Sequence, residues 1–206
     1  MHSSWRILRN RGRRAYTLAY AALNGVSTGP RAIIMRGAVA SRELGGSIEI
    51  GERSTIHRGA MLLSYGGFIR IGARCSINPY SVLYGHGGLY LGDNVRIAAH
   101  CVIVPANHGF ALGEGLIADQ PLSKSGIRIG DDVWLGAGVR VLDGAIIDDG
   151  CVVAAGAVVR GHLESNGIYG GVPAKLLGRR TFRTVHPKGV THGVDYTKNP
   201  EAVAAS

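Results

Sequence analysis

Aliphatic residues recur at every sixth position between residues 129 and 159, and this period constrains the fold more than any other feature of the sequence. The row consists of Ile129, Leu135, Val141, Ile147, Val153 and Val159. Most of them are followed four residues later by a small or medium-sized side chain, namely Val133, Val139, Ala145, Cys151 and Ala157. A period of six fits neither a helix nor an ordinary strand pair. It is typical of a β-solenoid, in which short strands point residues inward and end in turns.

The same row extends toward the N-terminus in sets of three. Its members there are Ile50, Ile56, Leu62, Ile71, Ile77, Leu83, Leu91, Ile97 and Ile103. The sets begin 21 and 20 residues apart, which is one coil of three repeats plus a few residues at a corner. Three strands per coil predict a triangular prism. Glycine follows the first aliphatic residue of four coils, at Gly51, Gly72, Gly92 and Gly130. This recurrence predicts a corner that needs a positive φ or a close backbone approach.

The repeats divide the chain into three predicted parts. Residues 1–32 form a basic N-terminal arm, with a helix over residues 4–24 that ends at Asn24-Gly25. Residues 33–165 form the solenoid. Residues 166–206 form a C-terminal cap and tail. A short capping helix is predicted to begin at Pro173, because a solenoid needs a cover for its last open coil. The sequence turns polar from about residue 184, and residues 199–206 are expected to be frayed.

The net charge of +9 is concentrated at the N-terminus, where the first 24 residues contain five arginines and no acidic residue. A basic excess favours an anionic partner. The possible anionic partners are nucleic acid, anionic lipid and a phosphorylated ligand. Nucleic acid is the least favoured of the three, because no recognised binding motif is present and the aromatic residues are sparse. The N-terminal helix is predicted to cover the first coil or to pack against a neighbouring subunit. The alternative is that it rests on anionic lipid.

Three cysteines, Cys75, Cys101 and Cys151, occupy inward positions four residues after an aliphatic one. They are predicted to be buried core residues, without a disulfide or a CxxC motif. A reducing, cytoplasmic setting follows from this, with peripheral contact at the inner face of the membrane as an option. No stretch approaches the roughly 20 apolar residues of a membrane span. The N-terminus does not resemble a secretory signal.

A long loop is predicted at residues 109–125, because Ile103 and Ile129 lie 26 residues apart and one coil needs about eight fewer. Its predicted anchors are Phe110, Leu112, Leu116 and Ile117. Long excursions from a regular fold are frequently functional. His108 stands at the start of this loop, five residues after Ile103 in an outward corner position, and Trp134 occupies the equivalent position after Ile129. His108 is therefore the leading candidate for catalysis.

Four segments carry a resemblance to a known family. They are Gly92-Asp93-Asn94-Val95, Pro105-Ala106-Asn107-His108, Val133-Trp134-Leu135-Gly136-Ala137 and Gly170-Gly171-Val172-Pro173-Ala174-Lys175. Over about residues 48–180 the chain resembles the hexapeptide-repeat acyltransferases, in particular the galactoside and maltose O-acetyltransferases and the sugar acetyltransferases of surface polysaccharide assembly. The resemblance implies a left-handed parallel β-helix that forms a homotrimer, with active sites between neighbouring prisms. The handedness is not evident from the residues themselves.

The same resemblance assigns roles to individual residues. His108 is the general base that takes a proton from an acceptor hydroxyl as the oxygen attacks the thioester of acetyl-CoA, the acyl donor. Imidazole suits this role because its ordinary pKa is about 6.5. Asn78 and His86 are the predicted acceptor-binding residues. The predicted donor-binding residues are Trp134, Ala137, Ala155, Arg160, Lys175, Arg179 and Arg180. The basic members of that set would meet the CoA phosphates.

The chain also departs from the family pattern. His86 stands where the galactoside and maltose enzymes carry an acceptor-binding aspartate, and Arg160-Gly161 replaces their usual Thr-Lys. The loss of the aspartate counts against a galactoside or maltose acceptor. The function that the resemblance implies is O-acetylation of a sugar or saccharide hydroxyl in polysaccharide or glycolipid modification, with amino-sugar N-acetylation as the first alternative. A non-catalytic scaffold and a metal enzyme resembling the γ-carbonic anhydrases are weaker alternatives. The candidate metal ligands of such an enzyme would be His57, His86, His100 and His108. These histidines lack the paired spacing of the γ-carbonic anhydrases, so no metal is expected.

Overall fold

The computed structural model describes residues 2–181, 185–186 and 189–190 of the chain, and the side chains of residues 12–181. It opens with one helix, α1 (His2–Asn24), which confirms the predicted N-terminal helix. Gly25 follows it with a φ of +63°, and Val26 N donates to Ala21 O at 2.9 Å. Glycine adopts this left-handed conformation without steric cost, so it ends the helix and redirects the chain.

Short parallel strands then wind through six coils. The first four coils contain β1 (Ser27–Thr28), β2 (Ile33–Ile34), β3 (Val39–Ser41), β4 (Ser47–Ile50), β5 (Thr55–Ile56), β6 (Met61–Leu63), β7 (Phe68–Ile71), β8 (Ser76–Ile77), β9 (Val82–Tyr84), β10 (Leu89–Leu91), β11 (Arg96–Ile97) and β12 (Val102–Val104). The excursion that follows contains β13 (Asn107–His108) and β14 (Leu122–Ser123). The remaining strands are β15 (Ile127–Ile129), β16 (Trp134–Leu135), β17 (Arg140–Leu142), β18 (Ile146–Ile147), β19 (Val152–Val153), β20 (Val158–Val159), β21 (His162–Leu163), β22 (Gly167–Gly170), β23 (Lys175–Arg179), β24 (Val185–His186) and β25 (Gly189–Val190).

Each coil gives one strand to each of three sheets, which form the walls of the prism. The strand order is β1-β4-β7-β10-β15-β18-β21 in the first sheet, β2-β5-β8-β11-β16-β19-β22-β23 in the second and β3-β6-β9-β12-β17-β20 in the third. We call the edge between the first and second sheets the first corner, that between the second and third sheets the second corner, and that between the third and first sheets the third corner. The architecture is a parallel β-solenoid consistent with a left-handed β-helix of hexapeptide repeats.

The aliphatic row predicted from the sequence forms the core of this prism. Every member of the row between Ile50 and Val159 is at most 3% exposed. The three cysteines are buried among them, as predicted, and their thiols are free. Consecutive coils pair in register, so each inward residue packs on its equivalent one coil away.

The first corner depends on close approach of consecutive coils. A Cβ at Gly72 would collide with the backbone of Gly92, and one at Gly92 with the Asp131 carboxylate. That carboxylate accepts a hydrogen bond from Asp93 N at 2.7 Å, and Asp93 in turn accepts one from Ala73 N at 2.7 Å. Of the two reasons predicted for these glycines, close approach is therefore the one that applies.

The predicted capping helix is wrong. Residues 167–179 form an antiparallel β-hairpin, in which β23 pairs with β22 at the end of the second sheet. Gly171 turns the chain with a φ of +91°, the Val172–Pro173 bond is cis, and Ala174 N donates to Val158 O at 2.8 Å. The free edge of β22 offers unpaired backbone groups that a helix would leave unsatisfied, so a strand covers it better. The parallel strands run from Ser27 to Gly170, and residues 191–206, with the predicted frayed end, lie outside the described residues.

Candidate active site

His108 lies in a short hairpin that projects from the third corner. Its strand pairs antiparallel with β14, so that His108 is opposite Leu122 and Asn107 is opposite Ser123. Gly109 N also donates to Pro121 O at 3.1 Å. The His108 side chain is exposed. The imidazole is therefore presented to solvent by paired backbone rather than by an unsupported loop.

The outer part of the loop is organised by a polar residue. Gln120 is buried, its Nε2 donates to Ala111 O at 3.0 Å, and its Oε1 accepts from Ala111 N at 2.9 Å. The four apolar residues predicted as anchors, Phe110, Leu112, Leu116 and Ile117, are all exposed. That prediction is wrong. The loop backbone needs hydrogen-bond partners, which the Gln120 amide supplies to both backbone groups of Ala111 and which apolar side chains cannot supply.

Asp143 fixes the base of the hairpin. Its carboxylate accepts hydrogen bonds from Ser125 N and Gly126 N, each at 3.0 Å, and from Asn107 Nδ2 at 3.3 Å. These contacts hold the strand that enters the loop and the segment that leaves it. Hydrogen bonds to a carboxylate are stronger than those between neutral groups. Asp143 was not singled out by the sequence analysis, and it supports the residue directly before His108.

A cavity of about 260 Å³ lies beside His108. It is lined by Tyr65, Tyr84, His86, Val104, Ala106, Asn107, His108 and Leu122. The structure thus places two predicted site residues, His86 and His108, in one pocket. Tyr65 and Tyr84 were not predicted, and they share the third corner with His86 on two neighbouring coils.

Three rings form one wall of this pocket. Tyr65 stacks on His86 with centroids 4.5 Å apart and planes at 24°. Tyr84 meets His86 at 5.6 Å and meets Tyr65 edge-on at 5.0 Å. Tyr65 has a φ of +44°, a conformation that is strained for a bulky residue. The same conformation recurs at corners of other coils, for example at Arg53 and Arg74, and at Tyr65 it places a ring beside the pocket.

The environment of His86 disfavours its charged form. Burial, and then the Lys124 ammonium, lower the pKa of His86 below its ordinary value of 6.5. Among the described residues its Nδ1 is buried without a hydrogen-bond partner. Burial also raises the pKa of Tyr65, with further contributions from Glu43 and Tyr84. The pocket is therefore lined by an imidazole and two phenol groups that can hydrogen-bond a polar ligand.

Asn78 lies elsewhere in the same chain. It occupies the second corner, where its Nδ2 donates to Ile97 O at 2.9 Å and its backbone N donates to the same carbonyl at 3.0 Å. Its side chain is half-buried. The third sheet separates this corner from the one that carries His108, so one chain does not bring the two residues together.

The predicted donor-binding residues also follow the second corner. Ala137 and Ala155 are exposed and lie on consecutive coils, joined by a hydrogen bond of 2.8 Å from Gly156 N to Ala137 O. Trp134 is 54% exposed on the neighbouring second sheet. Lys175 is exposed at the start of the capping hairpin, opposite Gly170. These four residues form an open, shallow surface that runs along the prism axis.

The three predicted arginines are placed differently. Arg179 donates to Glu164 Oε2 at 2.6 Å, and Arg180 donates to Asp132 Oδ2 at 2.9 Å, both on the first-corner side. Arg160 is exposed at the third corner. Arg179 and Arg180 already have carboxylate partners, so contact with an anionic donor would require an exchange of partners.

The histidines considered for a metal site do not converge. His57 and His100 lie at the second corner, where His100 stacks on Tyr80 at 5.4 Å, whereas His86 and His108 share the pocket at the third corner. No group of three metal-binding side chains occurs within the described part of the chain. In that same part, no helix has the length and apolarity required to cross a membrane.

Comparison with known proteins agrees with this architecture. Residues 126–161 match the family "Bacterial transferase hexapeptide (six repeats)". This segment of the chain carries the hexapeptide repeat of that family. The family match covers β15 to β20, the most regular part of the prism, and the resemblance to the hexapeptide-repeat acyltransferases is confirmed.

Three similar proteins extend this comparison. The chain is 35% identical over 142 residues to the probable acetyltransferase Rv3034c of Mycobacterium tuberculosis, and the match covers 69% of this chain and 45% of that protein. It is 37% identical over 101 residues to the putative lipopolysaccharide biosynthesis O-acetyl transferase WbbJ of Escherichia coli, across 46% of this chain and 52% of that one. The chain thus spans about half the length of these curated relatives. A mutant of AntD, an N-acyltransferase from Bacillus cereus in complex with dTDP and coenzyme A, superposes with a TM-score of 0.66 and 25% identity, over 75% of this chain and 84% of that one.

Proposed function

We propose that this protein is an acyl-CoA-dependent acyltransferase that moves an acetyl group from acetyl-CoA to a hydroxyl of a sugar or saccharide, in surface polysaccharide or glycolipid modification. The observation that carries the proposal is the pocket in which exposed His108 stands beside the neutral His86 and two tyrosines. The relatives named as acetyltransferases, one of them in lipopolysaccharide biosynthesis, support the reaction class.

His108 acts as the general base in this proposal. Its imidazole takes the proton from the acceptor hydroxyl while that oxygen bonds to the thioester carbonyl carbon. The resulting oxyanion collapses, the carbon–sulfur bond breaks, and the imidazolium returns the proton to the CoA thiolate. Contact of a sugar ring with Tyr65 and a hydrogen bond to the His86 imidazole would orient the acceptor.

The complete site requires a second copy of the chain. Ala137 and Ala155 lie at the second corner and His108 at the third, on opposite edges of the third sheet. A homotrimer that sets the second corner of one copy against the third corner of the next would join the donor surface to the base. The exposed Trp134 and Tyr80 beside the second corner provide apolar surface for such a contact.

The donor would lie along the second corner. Small side chains at Ala137 and Ala155 leave room for an extended pantetheine arm. Lys175 is the leading contact for a CoA phosphate, because it is exposed and takes part in no ion pair that the structure shows among residues 12–181. Arg160, Arg179 and Arg180 complete the proposed basic set.

Buried free cysteines fit a reducing cytoplasmic compartment, and the basic N-terminal arm would allow contact with the membrane.

Transfer of labelled acetyl from acetyl-CoA to a panel of saccharides tests this function. His108→Ala is expected to lower kcat by roughly 10²- to 10⁴-fold, the usual contribution of a general base. His162→Ala is the matched control, since this exposed histidine pairs with Asp148 and neither residue lines the pocket. Full transfer by the His108 variant, or an equal loss in both variants, would refute the assignment.

N-acetylation of an amino sugar is the second candidate. The similarity to AntD, which is described as an N-acyltransferase, favours it. Paired acceptors that differ only by a hydroxyl or an amine at one carbon separate the two reactions. A free amine needs less help from a base, so a small effect of His108→Ala on the amine acceptor, with no transfer to the hydroxyl, would favour N-acetylation.

A further inference from the structure

A second cavity, of about 520 Å³, lies at the N-terminal end of the prism between α1 and the second corner. We call it the arginine cavity. It is lined by Gly12, Arg13, Tyr16, Ile34, Met35, Arg36 and Arg58. Three guanidinium groups thus surround a floor of apolar and aromatic side chains. The reaction described above assigns no role to any of these residues.

Hydrogen bonds fix the helix that forms one side of this cavity. The buried Thr17 Oγ1 accepts from Ile34 N at 3.0 Å, and Tyr20 Oη accepts from Ala40 N at 2.9 Å. Thr17 lies one turn after Arg13 and directly after Tyr16, so these bonds also set the positions of both cavity residues. The cavity is therefore part of the packed structure of the domain.

Among residues 12–181 the arginines of the cavity have no acidic partner. The first acidic residue of the chain is Glu43, and none of the ion pairs that the structure shows for residues 12–181 includes Arg13, Arg36 or Arg58. Arg36 lies over the Tyr16 ring at 5.8 Å. The surface consequently has a local positive potential that a bound anion would neutralise.

The chemistry of the lining selects the kind of anion. Guanidinium groups bind phosphate oxygens through paired, charge-assisted hydrogen bonds. The half-buried Met35 and Tyr16 give the cavity an apolar floor, which suits a phosphate ester better than a free inorganic ion because it offers a surface for the esterified group. We propose that the arginine cavity binds a phosphate or diphosphate ester.

The position of the cavity connects it with the proposed acceptor site, and this step rests on the proposed function. The second corner stacks Arg36, Arg58 and Asn78 on successive levels of the prism, and Ala137 lies two levels beyond Asn78. His57 N donates to Ile77 O directly before Asn78. Coils are about 4.8 Å apart, so Arg58 lies one level and Arg36 two levels below Asn78. In the proposed homotrimer, an acceptor whose sugar lies between Asn78 and the base of the neighbouring copy would place an attached phosphate, one ring away, in the cavity. The acceptor class is then a phosphate-linked saccharide.

Calorimetry with inorganic pyrophosphate tests the cavity without any acyl transfer. Arg36→Gln/Arg58→Gln is compared with Arg53→Gln/Arg128→Gln, which removes the same charge from exposed positions outside the cavity. The cavity variant should bind pyrophosphate at least about tenfold more weakly, whereas the control should stay within about twofold of the parent. Circular dichroism and the melting temperature establish that both variants are folded. Equal weakening in both variants, or no binding by the parent protein, would overturn the proposal.

A second arm distinguishes the source of the phosphate. The same variants are sedimented with phosphatidylcholine vesicles that contain or lack phosphatidic acid. If only the cavity variant loses the sedimentation that depends on phosphatidic acid, the cavity takes a lipid phosphate. If it keeps that sedimentation but loses pyrophosphate binding, the cavity takes a soluble ester. Both results support the cavity.

The two proposals fail separately. His108→Ala should retain pyrophosphate binding, because His108 lies at the third corner. If acetyl transfer is absent while pyrophosphate binding depends on the two arginines, the reaction is wrong and the cavity stands. If transfer to a phosphate-free saccharide proceeds and the cavity variant binds pyrophosphate as the parent does, the cavity is wrong and the reaction stands.

Discussion

Asp143 holds Asn107 at the entrance of the projecting hairpin, where Asp143 Oδ2 accepts a hydrogen bond from Asn107 Nδ2 at 3.3 Å. The same carboxylate accepts bonds from the backbone of Ser125 and Gly126 at the exit. Asn107 directly precedes His108, so one side chain of the following coil controls where the proposed base is presented. The proposed catalytic group lies on a loop that projects from the prism, and the prism supports this loop through the Asp143 carboxylate.

The first prediction concerns this support. Asp143→Ala removes all three acceptor contacts and should speed hydrogen exchange at the Ser125 and Gly126 amides, because both lose their partner. Acetyl transfer should fall mainly in kcat, since His108 would sample more positions. Exchange monitored by mass spectrometry checks the first effect. Asp148→Ala is the control, because that aspartate pairs with His162 outside the hairpin. Equal exchange in the two variants would contradict a positioning role for Asp143.

The second prediction concerns the donor surface. Ala137→Leu should raise the KM for acetyl-CoA by roughly tenfold or more, because an outward Leu at the second corner would displace an extended pantetheine arm. Its small native side chain is exposed, so the substitution should leave the melting temperature nearly unchanged. Ala22→Leu places the same change on the exposed side of α1 and should leave KM as it is. An unchanged KM for acetyl-CoA in the Ala137 variant would show that the donor does not bind at the second corner.

The fold was predictable because its determinants are local and repeated. The six-residue period alone predicts which aliphatic residues, such as Ile103 or Val141, point inward, and all of them are buried. The capping segment failed for the opposite reason. Pro173 fits the start of a helix when only its neighbours are considered, whereas its actual conformation depends on the free edge of β22, a strand completed by earlier coils.

Residues of the candidate site were predictable only where the sequence at one position was itself unusual. His108 stood out because it begins a long excursion, and His86 because it replaces an aspartate of the family pattern. Tyr65 and Asp143 gave no such signal. Tyr65 contacts His86 from the preceding coil, and Asp143 is 36 residues from Asn107, so both contacts follow from the register of the coils. That register depends on the number of extra residues at each corner, which the period alone does not give.

The third prediction concerns the cysteines. Burial raises the pKa of the Cys75, Cys101 and Cys151 thiols, and it also excludes reagents. Since the thiolate is the reactive form, all three should resist a disulfide reagent such as DTNB in the native protein and react together on unfolding. Absorbance during a denaturant titration should follow the loss of circular dichroism. Reaction of any thiol under native conditions would show that its coil opens locally.

The fourth prediction concerns pH. Burial lowers the pKa of His57 and of His86, with smaller contributions from Arg13 and Lys124. Below the ordinary value of 6.5 the unfolded chain therefore binds protons that the native chain does not. Stability rises with pH wherever the unfolded state binds more protons, so these two histidines reduce the free energy of unfolding as the pH falls below 6.5 toward their native pKa values.

Replacement by a side chain that does not titrate should remove this loss. His57→Gln/His86→Gln is expected to retain more of its stability than the parent protein when the pH is lowered through 6.5, and each single variant should lie between them. Urea unfolding at a series of pH values measures the slope directly. The comparison rests on the slope rather than on absolute stability, because each substitution also changes packing at its own site. An identical slope in the double variant and the parent would mean that these imidazoles are protonated equally in the folded and unfolded states, and the neutral His86 on which the proposed acceptor contact depends would have to be abandoned.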